Sequence, residues 1–199
     1  MRTSIFDYVG NLDTLLAVMV GALLATAGAL AAEIVQERLG RRRRQRDAAR
    51  FFGEIMISMD QIFDLACESQ NVGDRWGSYT QRLFQTASRE ASVYERNRER
   101  LFDILDMGLR FEVHGHMLRA SVPIASLIEQ SDQIDAIQEQ LDDDEALSDA
   151  ARISLQNRLG KLSAFREGAL AAAKDQRAVS SELLKKLEAL AGVSFEVSY

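Results

Sequence analysis

Two histidines, His114 and His116, and one cysteine, Cys67, are the side chains of this chain with the widest choice of chemistry. Imidazole and thiolate groups bind zinc and act as bases or nucleophiles. Residues two apart on a helix point about 200° away from each other, so the two histidines are not expected to share one ion. Glu112 lies four residues before His116 and could share an ion with it, but no third ligand is evident. We expect a surface hydrogen bond at this place.

Other catalytic signatures are missing from the sequence. A di-iron helical bundle requires Glu three residues before His, and Phe111 and Val113 occupy those positions. There is no Gly-rich phosphate loop, no Gly-x-Ser-x-Gly motif and no zinc-type pair of cysteines. Cys67 has no histidine near it in sequence, and we interpret it as a small buried apolar residue. The sequence predicts no cofactor, metal or catalytic residue; an enzyme of unrecognised type that uses a pocket in a helical bundle is an alternative.

A cluster of arginines is the third chemically distinctive feature. Its six members lie within nine residues: Arg38, Arg41, Arg42, Arg43, Arg44 and Arg46. They could bind nucleic acid, contact lipid head groups or set the orientation of a membrane span. The seven Arg and four acids that precede Asp47 leave 17 Lys and Arg against 26 Asp and Glu, a net charge of −9. This sign disfavours a surface for nucleic acid, so a membrane anchor for nucleic acid is kept only as an alternative.

An apolar run of 18 uncharged residues, Leu15 to Ala32, precedes the arginines. As a helix it would be roughly 27 Å long, close to the hydrocarbon thickness of a bilayer. Seven of its residues are Ala and two are Gly, which leaves a buried helix of a soluble domain as one alternative. A cleaved secretory signal is another, because residues 25–27 and 29–31 are small enough for cleavage. The leader 1–14 lacks the positive region of a signal, so we predict a retained transmembrane helix over 15–32.

The arginine cluster predicts the orientation of this span. Cytoplasmic flanks of membrane helices are rich in Arg and Lys, and the leader is close to neutral. We therefore expect the amino terminus outside and the carboxyl terminus in the cytoplasm, in a bacterial inner membrane. The basic juxtamembrane segment 33–47 would contact membrane lipid. A single cysteine excludes an internal disulfide, which suits a reducing compartment.

Small residues recur every four positions inside the apolar run, at Ala17, Gly21, Ala25 and Ala29. Such a face lets two helices approach each other closely in a membrane. The alternative is that an Ala-rich segment shows this spacing by chance. We expect the span to support a homo-oligomer.

The composition of the remaining chain favours helices. It has one proline and no Asn-Gly or Asp-Gly pair, so strands have little support. Roughly 150 residues after the span are enough for one domain with its own core. We predict an all-α protein, with one amino-terminal transmembrane helix followed by an up-and-down cytoplasmic bundle of about four helices over 48–192.

Apolar residues three or four apart predict the first two helices of this bundle. The first carries its apolar face on Ala48, Phe52, Ile55, Met59, Ile62 and Ala66. Four more residues are expected to widen that face: Phe51, Met56, Phe63 and Leu65. The breakers within 70–78 should separate it from a second helix, which runs from Ser78 to about Asp103.

The other two helices are predicted from capping residues and the same spacing. Asp106 or a nearby residue would cap the third helix, with Pro123 as an expected kink. The fourth should be the longest, beginning at a cap on Asp144 or Ser148 and ending at Gly192. A tail over 193–199 would either fray or dock on the bundle.

An acidic turn lies between the third and fourth helices, at Asp142, Asp143, Asp144 and Glu145. Residues 129–149 contain nine acids and no base, which equals the charge imbalance of the whole domain. If the second and third helices are separate, the turn would lie far from the anionic membrane surface. We predict a distal acidic tip, a candidate docking site for a basic protein partner, with helix capping as the competing explanation.

One stretch, YERNRERLFDILDMGLRFEV, carries a series of residues that resembles a known arrangement: Tyr94, Asn97, Leu101, Leu105, Leu109 and Val113. It is similar to uncharacterised bacterial proteins with one amino-terminal span, an arginine cluster and a cytoplasmic helical domain. The motif covers about 20 residues, and His114 and His116 stand where an aromatic would be expected. The resemblance supports the architecture and implies no activity. We therefore expect a membrane-anchored helical interaction or scaffold module.

Overall fold

The structure is a computed structural model that describes the backbone of residues 5–143 and 148–195 and the side chains of residues 14–142 and 148–195. Within these ranges every regular element is a helix, as the all-α prediction requires. The α-helices are α1 (Ile5–Ser69), α2 (Ser78–Arg96), α3 (Met107–Asp143), α4 (Asp149–Ala178) and α5 (Ser180–Ala191). A 3-10 helix covers Arg98–Asp103.

The chain divides into two units, the first ending at Arg44 and the second beginning at Gln45. Helix α1 contributes residues to both. In the first unit every side chain from Thr14 to Leu39 is exposed. The second unit has a core to which all five helices contribute.

The core of the second unit follows the predicted spacing closely. Five of the six residues predicted on the first apolar face are buried, and Ile62 is half-buried. Phe52 of α1 contacts Tyr94 of α2 edge-on, with ring centroids 5.8 Å apart. Helix α3 packs against α2, α4 and α5. Leu65 contradicts the prediction, since it is half exposed at 50%.

Helices α2 and α3 are separate, which is the condition on which the prediction of a distal acidic turn depends. Asp106 caps α3, because its Oδ1 accepts a hydrogen bond of 3.1 Å from the backbone N–H of Leu109. The predicted extent of the second helix is wrong. The α-helix ends at Arg96, where the side chain of Asn97 donates to the carbonyl of Val93, and the chain continues as a 3-10 helix.

The predicted fourth helix is two helices. Ser148 caps α4 by accepting from the N–H of Ala151 at 3.3 Å, and α4 ends at Ala178. The Ser180 hydroxyl lies 2.9 Å from the carbonyl of Arg177, and such side-chain contacts compete with helical hydrogen bonds. With 30 residues, α4 is shorter than α3, which has 37 and continues through Pro123, so the prediction that the fourth helix is longest is wrong.

The tail docks on the domain as far as residue 195. Gly192 ends α5 in the left-handed region, at φ 69°, a conformation that glycine adopts without strain. The backbone N–H of Phe195 then donates to Glu188 Oε1 at 2.6 Å. The Phe195 ring lies over Gly53, where a Cβ atom would be 2.2 Å from it. Residues 196–199 of the predicted tail lie outside the described residues.

Candidate functional site

Apolar side chains cover all sides of α1 between residues 14 and 39. Val18, Met19 and Leu24 lie roughly 100–140° apart around the helix at about 100° per residue, and they are 64%, 55% and 69% exposed. This is the one helix of the described residues that is long and apolar enough to cross a membrane, with a mean hydropathy of 2.2 over 18 residues. None of that window is buried, which removes the alternative of a core helix within this chain.

The single polar side chain of the apolar run, Thr26, has its hydrogen bond inside the helix. Its hydroxyl donates to the carbonyl of Ala22 at 2.8 Å. An internally bonded hydroxyl is what an apolar environment requires, because no water is there to bond it. Both small-residue sequences considered as cleavage sites, 25–27 and 29–31, lie within continuous helix.

The six arginines predicted to contact lipid or set topology are all exposed on α1. Arg38, Arg42 and Arg46 follow one side at intervals of four residues, and the other three lie on the remaining sides. Arg41 forms an ion pair with Glu37, one turn earlier. Because the cluster surrounds the helix, it suits a layer of anionic groups on all sides better than one flat partner.

The small face of the apolar run is open. Ala17, Gly21, Ala25 and Ala29 are all exposed. A Cβ atom added at Gly21 would have nothing within 4 Å apart from its own helix and neighbours. The face therefore has room for another helix, as the prediction requires.

The acidic turn is only partly described. Asp142 is exposed at the end of α3, and the side chain of Asp143, together with Asp144 and Glu145, lies outside the described residues. Ser148 supplies the side-chain cap of α4, so one of the two predicted capping residues has this role. The distal position of the turn and its docking role stay predictions.

The two histidines have separate partners, as the helical spacing predicts. Tyr94 Oη lies 2.5 Å from His114 Nδ1, and burial raises the pKa of Tyr94 to about 12, so the phenol stays protonated. Among the described residues, no group of three or more His, Cys, Asp or Glu side chains could hold a metal ion. The expected surface hydrogen bond between Glu112 and His116 does not form, since Lys186 pairs with Glu112 at 2.6 Å.

His116 belongs to a buried polar chain that the sequence did not reveal. Arg119 donates to Gln176 Oε1 at 3.1 Å, which directs the amide Nε2 of Gln176 toward His116 Nδ1 at 2.6 Å. His116 must accept this bond, which requires a neutral ring. Burial and the nearby Arg119 lower the pKa of His116 to about 4, in agreement with that geometry.

A second buried polar group joins α1 to the break between α4 and α5. Ser180 Oγ lies 2.6 Å from Asp60 Oδ2, and Arg177 pairs with Asp60 at 3.4 Å. Arg177 also binds Asp64 through Nε and Nη2, at 3.1 and 2.8 Å. Burial raises the pKa of Asp60 to about 6, against the opposing influence of Ser180 and Arg177.

Asp60 and His116 both line a small cavity of about 20 Å³, together with Met59, Phe63 and Ala173. Such a volume suits about one water molecule and is too small for an organic substrate. Titratable groups with shifted pKa values often mark active sites, but structural ion pairs shift them as well. The arrangement therefore favours a structural role, with proton uptake by Asp60 near pH 6 as its chemistry.

The aromatic side chain of Trp76, in the turn between α1 and α2, contacts arginine side chains. Two guanidinium groups lie over the ring of Trp76, those of Arg166 at 4.1 Å and Arg75 at 5.5 Å from the ring centre. Arg75 is in turn paired with Glu167 at 2.7 Å.

Cys67 is half-buried, and burial raises the pKa of its thiol, which fits the predicted apolar role better than a nucleophilic one.

The buried groups of the second unit gave little signal in the sequence. Asp60 and Asp64 are one turn apart on α1, which shows that they can share a partner. Their partners, Arg177 and Ser180, lie more than 110 residues later.

Comparison with protein-family models, curated proteins and solved structures finds no match to this chain.

Proposed function

We propose that this chain is a single-span membrane protein whose carboxyl-terminal helical domain binds proteins in the cytoplasm. The observation that carries the proposal is the exposure of α1 from Thr14 to Leu39, where apolar side chains face every direction. In water this surface would be costly at roughly 25 cal/mol per Å². A bilayer covers all of it at once.

The arginine cluster gives the proposed orientation. Positive residues within 15–20 residues of a span end resist translocation, and all six arginines lie within 14 residues of Ala32. The carboxyl-terminal domain therefore stays on the cytoplasmic side, in a bacterial inner membrane, with the arginines against anionic head groups.

The proposed activity is assembly. The open face at Gly21 and Ala25 supports pairing of the span with a second copy. The excess of acids at 129–149 supports docking of a basic protein partner on the domain. The partner is bound and held at the membrane, and no chemical step is required.

A reporter fused after Tyr199 tests the topology. A reporter that works only in the cytoplasm should be active, and the chain should stay with membranes in alkaline carbonate. Changing Arg41, Arg42, Arg43 and Arg44 to Gln should lower the cytoplasmic signal without releasing the chain. Periplasmic activity of the unchanged fusion would remove the proposed orientation, and release by carbonate would remove the span.

Two further variants test assembly. Gly21→Ile with Ala25→Ile should weaken association of the span in a membrane, whereas Leu16→Ile, on the opposite side, should not. Neutralising Asp142, Asp143 and Asp144 while keeping Ser148 should reduce crosslinking of a partner with helicity unchanged. Unchanged association or crosslinking removes the corresponding interface.

A further inference from the structure

A groove opens between the 3-10 helix and the first turns of α3, and we call it the arginine groove. Seven side chains line it: Arg98, Leu101, Phe102, Met107, Arg110, Phe111 and His114. Its volume of about 250 Å³ lies just below the range of roughly 300–1,000 Å³ that is usual for small-molecule pockets. Neither the proposed span nor the acidic segment includes any of these residues.

The apolar side chains of the arginine groove are unusually exposed. Phe102, Met107 and Phe111 are 76%, 62% and 69% exposed, and the adjacent Leu105 is 61% exposed. Single exposed apolar residues are common on proteins, but four large ones within ten residues form a patch. This patch continues the groove and offers an apolar surface for an extended aliphatic chain.

The polar side chains that line the arginine groove are all potential cations. They are Arg98, Arg110 and His114, and no carboxylate lines it. Arg110 Nε is buried and has no hydrogen-bond partner among the described residues, although its guanidinium lies 5.9 Å from the Phe102 ring centre. The remaining N–H groups of this guanidinium can offer charge-assisted hydrogen bonds to an anion in the groove.

His114 adds an imidazole to this set. Its Nδ1 lies 2.5 Å from the Tyr94 hydroxyl, so Nε2 is the ring nitrogen left for a ligand. The positive lining is also local, since the sequence from Asp47 onward carries a net charge of −9. General attraction of anions to the domain is therefore not expected.

The size and chemistry of the groove select among ligands. A cavity of this volume accepts single side chains of a partner helix, which is about 10 Å across, but not the helix itself. A divalent metal would require carboxylate, thiolate or several imidazole ligands, and the lining has one imidazole. A molecule with one anionic head and an apolar tail matches both the arginines and the phenylalanines.

We propose that the arginine groove binds a free fatty acid, with the carboxylate at Arg98 and Arg110 and the chain along Phe102, Met107 and Phe111. The proposal does not depend on the span or on its orientation. A carboxylate would accept charge-assisted hydrogen bonds from two guanidinium groups, and the aliphatic chain would cover the exposed rings.

Octanoate labelled with ¹³C at its carboxyl tests this site on the full chain in phosphatidylcholine nanodiscs, with empty nanodiscs as the reference. The carboxyl resonance should shift on saturable binding, and octanol should bind much more weakly.

Arg110→Gln should weaken octanoate binding roughly tenfold or more, because a charge-assisted hydrogen bond is lost. Phe111→Ala should weaken it severalfold through the chain. Arg89→Gln, exposed on α2 and outside the groove, should leave it unchanged.

Arg98→Gln guards against a folding defect in the Arg110 variant, since Arg98 is exposed and its loss should not disturb the core. It should weaken octanoate binding with Trp76 fluorescence unchanged. Equal binding of octanoate and octanol would overturn the proposal by showing a merely apolar patch. So would unchanged affinity in both arginine variants.

Discussion

Two parts of helix α1 contain large apolar side chains in entirely different surroundings. Leu24 in the first unit is 69% exposed, whereas Phe52 in the second is 1% exposed. The difference lies in the distribution of apolar residues. Around Phe52 they keep to one face, and the opposite face carries pairs such as Arg50 with Glu54 at 3.2 Å. Around Leu24 they occupy every face.

The comparison shows that apolar content alone does not define a core. A one-sided face is covered by neighbouring helices of the same chain and is stabilised in water by that burial. An all-round surface cannot be covered by one neighbour, so its stability depends on lipid or on other chains. Substitutions in the two parts should therefore change different measurable quantities.

The largest effect is expected from Phe52→Ala. Removing a fully buried aromatic ring leaves a cavity and costs roughly 3–5 kcal/mol of unfolding free energy. Unfolding by denaturant, followed by the fluorescence of Trp76, measures it on the full chain in micelles. The matched variant Leu24→Ala should leave the same transition within about 0.5 kcal/mol. Equal losses in the two variants would show that the first unit has a core of its own.

The converse test places a charge in the middle of the apolar run. Leu24→Lys should disfavour membrane insertion by about 3 kcal/mol, since Leu favours and Lys opposes insertion at a helix centre. The fraction of chain resistant to carbonate extraction should fall, while the Trp76 unfolding transition stays in place. Full resistance of the Leu24→Lys variant to carbonate extraction would contradict the view that lipid covers the surface around Leu24.

The core pattern was largely readable from the sequence, and the reason is physical. Val113, Met117, Ile124 and Leu127 follow the three-and-four spacing of one helix face, and all four are buried. Such spacing is local and requires no knowledge of the partner helices. The Asp106 cap was equally local, because donor and acceptor lie three residues apart.

The errors come from partners distant in sequence. Nothing near Val179 contains Gly or Pro, so the break after α4 was invisible, and the Ser180 contact with Asp60 joins residues 120 positions apart. Asp60 follows the predicted core residue Met59, and the sequence alone predicts an exposed carboxylate there, because its partners are not adjacent to it. The arginine groove was missed for the same reason, because it forms where the chain leaves one helix and starts the next.

Asp60 and His116 should have opposite effects on stability between pH 4 and 6.5. The pKa of Asp60 is raised from 3.8 to about 6, so its contribution is fully present below pH 3.8 and is lost as pH rises through 6. The pKa of His116 is lowered from 6.5 to about 4, so its contribution is present above pH 6.5 and is lost as pH falls through 4. For each group, the full pH-dependent contribution to the free energy of unfolding is roughly 3 kcal/mol.

The two contributions largely cancel in the native chain, so single variants should expose them. Asp60→Asn should lose stability as pH falls from 6.5 to 4, while His116→Asn, which keeps an acceptor for Gln176, should gain it. Denaturant midpoints at several pH values measure both slopes. Parallel slopes in the two variants would show that neither group sets the pH dependence.

The smallest effect concerns the docked tail, and its sign is more informative than its size. Ala is favoured over Gly inside a helix by about 0.8–1 kcal/mol. Gly160→Ala, with open space around the new Cβ, should therefore stabilise the chain. At Gly53 the Cβ would lie 2.2 Å from the Phe195 ring and must displace it, so the lost packing should cancel the gain or exceed it by up to about 1 kcal/mol.

In a Phe195→Ala background that conflict is gone, and Gly53→Ala should stabilise the chain as Gly160→Ala does. A double-mutant cycle from denaturant unfolding measures the coupling of Gly53 and Phe195. An unchanged effect of Gly53→Ala in both backgrounds would mean that the ring does not rest on α1 in solution.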